Sequence, residues 1–428
     1  MLFTFPISRK SRQRSPAAAL ICMALIANAA IAQTAGQHSK PSDSPTLRQA
    51  LDAAWQLSPS ARAESNRRSE LAARDRAVSS WISGSPAVGI AHRTDRLNRN
   101  EGFREYEAEV EFPLWNPGVR AATQADVSAQ RVGFEGQFNA AKLKLAGELR
   151  VAAASIAIAR VERNLNQRKL QDANVLVQDI SRRVKVGENA RVDGLQAQLL
   201  VQQAQTALAQ AESQLTRLQN QWRSLTGLAS VAPLEETLAS SAANEGITAP
   251  ISPDHPALRQ AQAQVGSAQA RLALTTADKR DPMAVGVGIA RERASFGAAS
   301  ETTLRIALRI PLGGDNRNEP RRAAARAELD TAQAELDALQ RQLPTEVAAA
   351  TAELRAARFA QTAAIERARL SSEVQALITK SWRLGDSDLP ARLRADNEQF
   401  EASLSLARAA IDMQRAIANL NQAHGVFP

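Results

Sequence analysis

Four glutamates occupy every second position of one short run, Glu105, Glu107, Glu109 and Glu111, with Tyr106, Ala108, Val110 and Phe112 between and after them. Alternate side chains of an extended strand point to opposite faces, so this run would carry carboxylates on one face and an apolar stripe on the other. Such a row concentrates cations by its field rather than by coordination. Signals for reaction chemistry are weak. The histidines, His38, His92, His255 and His424, are scattered, and none pairs with another at metal-ligand spacing. Gly286-Val287-Gly288 opens like a dinucleotide loop, but Arg291 stands where the third glycine belongs and no helix follows. Neither a phosphate loop nor a nucleophile elbow is present. The residues point away from an enzyme, and no metal or cofactor is expected.

Composition agrees with a mainly helical chain. The 428 residues carry 53 Lys+Arg against 44 Asp+Glu. Four of the bases, Arg9, Lys10, Arg12 and Arg14, fall in the first 32 residues, which hold no acid, so the remainder is 49 − 44 = +5. That excess is no basic patch, and no nucleic-acid partner is expected. Aromatics are only 4% of the chain, while Ala, Gln, Arg, Leu and Glu abound, as in long helices and coiled coils.

Residues 1–32 read as a secretory signal: the basic cluster, an apolar stretch from Ala17 to Ala27, and Ala30-Ile31-Ala32 as the cleavage site before Gln33. Eleven apolar residues are too few to span a bilayer. The residues before Cys22, Ala19-Leu20-Ile21, lack the small residue required for lipidation, so cleavage without lipidation is expected. Cys22 is the only cysteine, and its removal leaves neither disulfides nor thiolate metal sites.

Beyond a linker at 33–45 the chain is one unit written twice. Ser58-Pro59-Ser60-Ala61 returns as His255-Pro256-Ala257-Leu258, and Phe112-Pro113-Leu114 as Ile310-Pro311-Leu312. Val186-Gly187 returns as Leu384-Gly385, and Leu225-Thr226-Gly227 as Ala423-His424-Gly425, at offsets of 197, 198, 198 and 198 in order. The units span 46–227 and 256–428, with 228–255 between them. Each starts with a helix, the first read over 46–80 from the spacing of Leu47, Ala50, Leu51, Ala54 and Trp55. A β-hairpin follows, over about 82–114 and 283–312. Its strands, of nine to eleven residues, have the length of a tilted membrane crossing. From alternation alone, a half-buried hairpin on a soluble core is the commoner reading. A helix of about 70 residues, roughly 100 Å long, then runs to a glycine turn near 187 or 385 and comes back as a shorter leg. Seam positions such as Ala173, Val177, Ile180 and Val184, or Leu329, Ala332, Leu336, Leu339 and Leu343, keep coiled-coil spacing.

Four strands cannot close a barrel, and an open edge is not tolerated in lipid, so membrane hairpins would require several protomers to pool them. This arrangement resembles the outer-membrane efflux protein family (TolC-like). Phe112-Pro113-Leu114-Trp115 with Pro117-Gly118, Ile310-Pro311-Leu312-Gly313-Gly314 with Arg317 and Pro320-Arg321, and the closing Asn421 to Pro428 make it similar to the heavy-metal (CzcC-type) branch. The resemblance implies a fold that is mainly α with a membrane β-barrel contribution: four strands per protomer in a 12-stranded homotrimeric barrel, continued by an α-helical periplasmic tunnel. It implies an outer-membrane exit duct of a Gram-negative bacterium, with a periplasmic adaptor and an inner-membrane pump of the RND class as partners and heavy-metal cations as cargo. The same channel serving organic compounds or type I secretion is an alternative, and a periplasmic adaptor is the competitor from another class. By resemblance, Arg183, Gly187, Arg383 and Gly385 form the rim that meets the adaptor. The family's gate acids fall here on Ala391 and Arg394, leaving Glu188, Asp193, Asp386 and Asp388 as candidate aperture acids. Glu105, Glu107, Glu109 and Glu111, with Arg305 and Arg309 of the fourth strand, would line the lumen.

Overall fold

The computed structural model describes residues 45–239, 251–312 and 315–428; the leader with Cys22, most of the linker, His38 and Gly313-Gly314 lie outside them. The first helical stretch is two helices, α1 (Leu47–Leu57) and α2 (Pro59–Ser79), not one. Ser58 makes the break. Its hydroxyl donates to the Trp55 carbonyl at 2.7 Å and accepts from the Ala61 amide at 3.1 Å, closing α1 and capping α2. Pro59 sits at the first position of α2, where its missing N–H costs nothing. His255-Pro256 repeats the device at α5 (Pro256–Ala277), with His255 Nδ1 accepting from the Ala257 amide at 3.2 Å.

The strands β1 (Ala87–Thr94), β2 (Arg104–Leu114), β3 (Met283–Arg293) and β4 (Glu301–Arg309) form one antiparallel sheet in chain order. Upstream of β1, Ile82 touches Leu114 only by a single bridge. β4 stops two residues short of Pro311, which has no N–H for a ladder. Each hairpin feeds a long helix, α3 (Val119–Lys185, 67 residues) or α6 (Asp315–Leu384, 70 residues), of about 100 Å at 1.5 Å per residue. The returning helices are α4 (Arg191–Thr226) and α7 (Leu389–Ala423).

Two buried clusters hold the hairpins. In the first, Leu149 and Ile156 of α3 meet Trp222 of α4 and Leu51 of α1. In the second, Val347 and Leu354 of α6 meet Leu420 of α7. These are the same positions of the repeat, since 149 + 198 = 347, 156 + 198 = 354 and 222 + 198 = 420. The duplication therefore extends to the packing, although the side chains differ.

Candidate functional site

Strand register sorts the sheet's side chains by chemistry. Glu111, Glu109, Glu107 and Glu105 lie opposite Gly286, Gly288, Ala290 and Glu292 of β3, which lie opposite Ala307, Arg305, Thr303 and Glu301 of β4. Arg93 of β1 faces Glu105 on this same side. The other side carries Val88, Ile90, Val110, Phe112, Val287, Ile289, Leu304, Ile306 and Leu308. Ile90 is 85% exposed there, and Leu304 and Ile306 are each 73% exposed. Trp81 packs against Phe112 at one end of this face, with ring centroids 5.6 Å apart, and among the described residues no helix or strand covers the rest of it.

On the charged face, Arg93 pairs with Glu105 at 3.0 Å and Arg309 with Glu111 at 2.9 Å, while Arg305 pairs with Glu107. The last two pairs span β3. They can do so because β3 offers only Ala284, Gly286, Gly288 and Ala290 beneath them. A β-carbon on Gly286 would lie 2.1 Å from Glu109 Oε1, so these glycines are the floor on which the ionic side chains lie. Among the described residues Glu109 has no ion-pair partner. Sequence reasoning brought the four glutamates and two arginines to one face but missed Arg93, Glu292 and Glu301. The paired strands hold six acids and three arginines on this face, 3 − 6 = −3.

The sheet joins the helices through repeated bonds. Asn116 donates to the carbonyls of Arg280 (2.9 Å) and Asp281 (3.1 Å) and accepts from the Met283 amide, stapling the end of β2 to the start of β3. Arg120 donates to Val78 and Ser79 carbonyls at the end of α2 (3.0 and 2.7 Å). Its repeat equivalent, Asn318 (120 + 198), donates to Thr275 near the end of α5 at 2.5 Å. Trp115 Nε1 reaches the Ser80 carbonyl at 2.9 Å.

At the far ends of the helices Gly187 (φ 84°) and Gly385 (φ 86°) turn the chain in the left-handed region, which glycine enters without steric penalty. Arg183 lies beside the first turn with its side chain partly exposed. It stacks 4.3 Å over the ring of Trp382, whose other neighbour, Arg392, stacks at 4.2 Å. Trp382 is buried and packs with Ile180, Leu176, Ala197 and Leu389, tying the first hairpin to the second. Arg383 is exposed. Among the candidate acids, Asp388 caps α7 by accepting from Ala391 (2.9 Å), and Asp193 accepts from Asn189 (3.0 Å). Glu188 and Asp386, equivalent positions of the repeat, are exposed and, among the described residues, have no side-chain partner. In the cleft above the tips, burial reinforced by Asp396 raises the Asp172 carboxyl above its ordinary value.

Midway along the helices a polar clasp joins three segments. Arg150, 1% exposed, donates to Glu236 at 2.6 and 2.9 Å, to Gln422 at 2.5 Å and to the Val426 carbonyl at 3.1 Å. Asn421 donates to Glu236 at 2.9 Å and accepts from the Ala239 amide at 3.1 Å. Sequence reasoning singled out the closing Asn421–Pro428 but not its partners. Among the described residues, no group of three or more His, Cys, Asp or Glu is placed to hold a metal, and no helix is long and apolar enough to cross a membrane.

No protein-family model matches the chain. No curated protein matches it. Several solved structures do. The outer membrane protein VceC from Vibrio cholerae aligns with a TM-score of 0.70 at 15% identity, over 89% of this chain and 96% of that one. A membrane protein from Pseudomonas aeruginosa gives 0.71 at 18% identity, over 89% and 90%. The Campylobacter jejuni outer membrane channel CmeC gives 0.70 at 12% identity, over 90% and 86%. The likeness shows the fold: a mainly helical chain with a small barrel-type sheet and paired long helices, as in outer-membrane channels.

Proposed function

We propose that three copies of this chain form a passive exit duct through the outer membrane, continued into the periplasm by the helical hairpins. The observation that carries this reading is the uncovered apolar face on a sheet with two open edges, β1 and β4. Pairing β4 of one protomer with β1 of the next satisfies both edges, and 4 × 3 = 12 strands close the barrel. The apolar face then meets lipid and the charged face lines the lumen. Apolar side chains also stay exposed on the helices near the tips, Val192, Leu195 and Leu199 on α4 and Leu370, Val374 and Leu377 on α6. Their spacing of three or four residues makes two stripes at similar height, which neighbouring protomers would cover. Partners of the tips would be a periplasmic adaptor and an inner-membrane pump, by resemblance of the RND class.

Cargo of heavy-metal cations is part of this proposal. It rests on the resemblance to the CzcC-type branch and on the wall charge of −3 per protomer, or −9 for three. A wall of that sign favours cations over anionic cargo without binding them tightly, which would slow release. Outer-membrane fractionation followed by gel shift before and after heating tests the duct: a heat-dissociable trimer in that fraction is expected, and a soluble periplasmic monomer refutes it. Growth of a deletion strain on metals and on organic toxicants tests the cargo.

A further inference from the structure

The uncovered face of the sheet is not apolar throughout. From Leu114 to Tyr106 it is apolar along β2, eight steps or about 27 Å, close to the height of a membrane barrel's lipid-facing band. Beyond that, toward the hairpin turns, three arginines appear on this face and no acid. Arg291 lies opposite Tyr106, and Arg293 lies opposite Arg104. Arg293 is engaged: it donates to the Gly102 carbonyl at 3.3 Å and stacks 5.8 Å from the Phe296 ring. Arg104 and Arg291 are exposed and, among the described residues, have no hydrogen-bond or ion-pair partner. The acids of the paired strands at this end, Glu105, Glu292 and Glu301, lie on the opposite face, and Asp95 and Glu101 belong to the β1–β2 turn, where the Glu101 amide donates to Asp95. Arg104 and Arg293 are directly opposite, an unfavourable like-charge pair, and Arg291 is the diagonal neighbour of Arg104, so an anion lying against this face would relieve their repulsion.

Resting on the channel reading above, which puts the hairpin turns outside the cell, we infer that Arg104 and Arg291 bind the phosphate groups of a glycolipid in the outer leaflet of the outer membrane. The guanidinium fork matches phosphate geometry, and the flanking Tyr106 and Ile289 supply apolar contact for the acyl chains just below. Tyr106, stacked on His92 with ring centroids 4.4 Å apart, sits at the boundary, where amphipathic rings settle. One arginine pair per protomer gives three such sites around the barrel.

Native mass spectrometry of purified trimers mixed with bis-phosphorylated lipid A provides the test. Wild-type trimers should retain the lipid, while Arg104→Gln/Arg291→Gln should lower retention by about thirtyfold, given the usual strength of each arginine at an anionic lipid surface. Arg305→Gln/Arg309→Gln removes equal charge from the opposite face and should leave retention unchanged. Arg104→Lys/Arg291→Lys should recover part of it. Displacement by excess inorganic phosphate would overturn the inference in favour of a free-anion site, and so would equal retention by the glutamine variant. Either result in membrane-inserted trimers leaves the channel reading standing, whereas a chain that never enters the outer-membrane fraction refutes both.

Discussion

Glu111 and Arg309 occupy the same position of the two repeats, 198 residues apart, and are bonded to each other at 2.9 Å across β3. Glu107 and Arg305 repeat the relationship at the same separation. The duplication made β2 and β4 equivalent strands, and opposite charges at equivalent positions turned that symmetry into cross-links. Strands two apart are separated by roughly 9.5 Å, which only long side chains over a flat strand can cover. Gly286→Val should therefore displace Glu109 and lift the bridging arginines, costing about 1–3 kcal/mol as overpacking does. The check is the heat-dissociation midpoint of the trimer; a midpoint equal to that of Val287→Ala, on the other face, would refute the floor role.

The wall charge leads to an ion-selectivity prediction. Trimers in planar bilayers should prefer cations at low salt and lose the preference as salt rises. Changing Glu105, Glu107, Glu109 and Glu111 together to glutamine leaves two acids against three arginines, 3 − 2 = +1 per protomer, so the preference should reverse. Glu109→Gln alone frees no arginine and should only weaken it. Reversal potentials measured across a salt gradient decide this, and an anion-selective parent channel would remove the wall from the mechanism.

The repeat, the strands and the glycine turns were legible because backbone geometry demands them: Gly187 and Gly385 need positive φ, and alternation needs only one residue per face. Ser58-Pro59 is a repeat landmark and, as serine followed by proline, also a helix-start signal, but the apolar spacing on either side of it runs on without showing the break between α1 and α2. Charge partners were hidden because they depend on register between distant strands. Glu292 and Glu301 are not legible as wall residues because the alternation breaks down where arginine and glutamate adjoin, as in Arg291-Glu292-Arg293. The contact of Arg183 with Trp382 is not legible in the sequence, since nothing in its neighbourhood along the chain reveals Trp382, which reaches it through packing of the two hairpins.

His255 gives a pH prediction. The residue is 4% exposed just before α5, and burial lowers its affinity for a proton, more than the neighbouring Ala423 carbonyl and Glu346 raise it. A β-carbon on Gly425 would lie 2.7 Å from this ring, so the repeat's last glycine is required for the packing. The folded protein binds the proton less readily than the unfolded chain, so this residue's stabilisation is full above the ordinary imidazole value of about 6.5 and is lost as pH falls below it. His255→Asn keeps a capping acceptor and should flatten that part of the pH profile of thermal unfolding. An unchanged slope would exclude His255 as the source.

The clasp at Arg150 makes a stability prediction. Arg150→Met should cost about 3–5 kcal/mol, because it leaves Glu236, 9% exposed at its side chain, as a buried charge without its partner. Arg150→Met/Glu236→Gln should regain much of that loss, since the uncompensated charge goes with it. Denaturant unfolding of the wild type, Arg150→Met, Glu236→Gln and the double variant measures the coupling; additive losses would show that the two residues act independently.

The tips separate a folding role from a docking role. Valine at Gly187 or Gly385 must enter the left-handed region, a local cost of about 1–2 kcal/mol far from both main cores. Trp382→Ala, in contrast, opens a cavity in the cluster joining the two hairpins and removes the ring between Arg183 and Arg392, at about 3–5 kcal/mol. If the turns themselves meet the adaptor, the glycine variants should keep trimers in the membrane while cross-linking from a cysteine at Glu188 to the adaptor disappears. Trp382→Ala should instead raise protease sensitivity of the tips and weaken cross-linking from both turns together. Glycine variants that cross-link normally would refute docking through the turns, and variants that lose the trimer would show that the glycines serve folding alone.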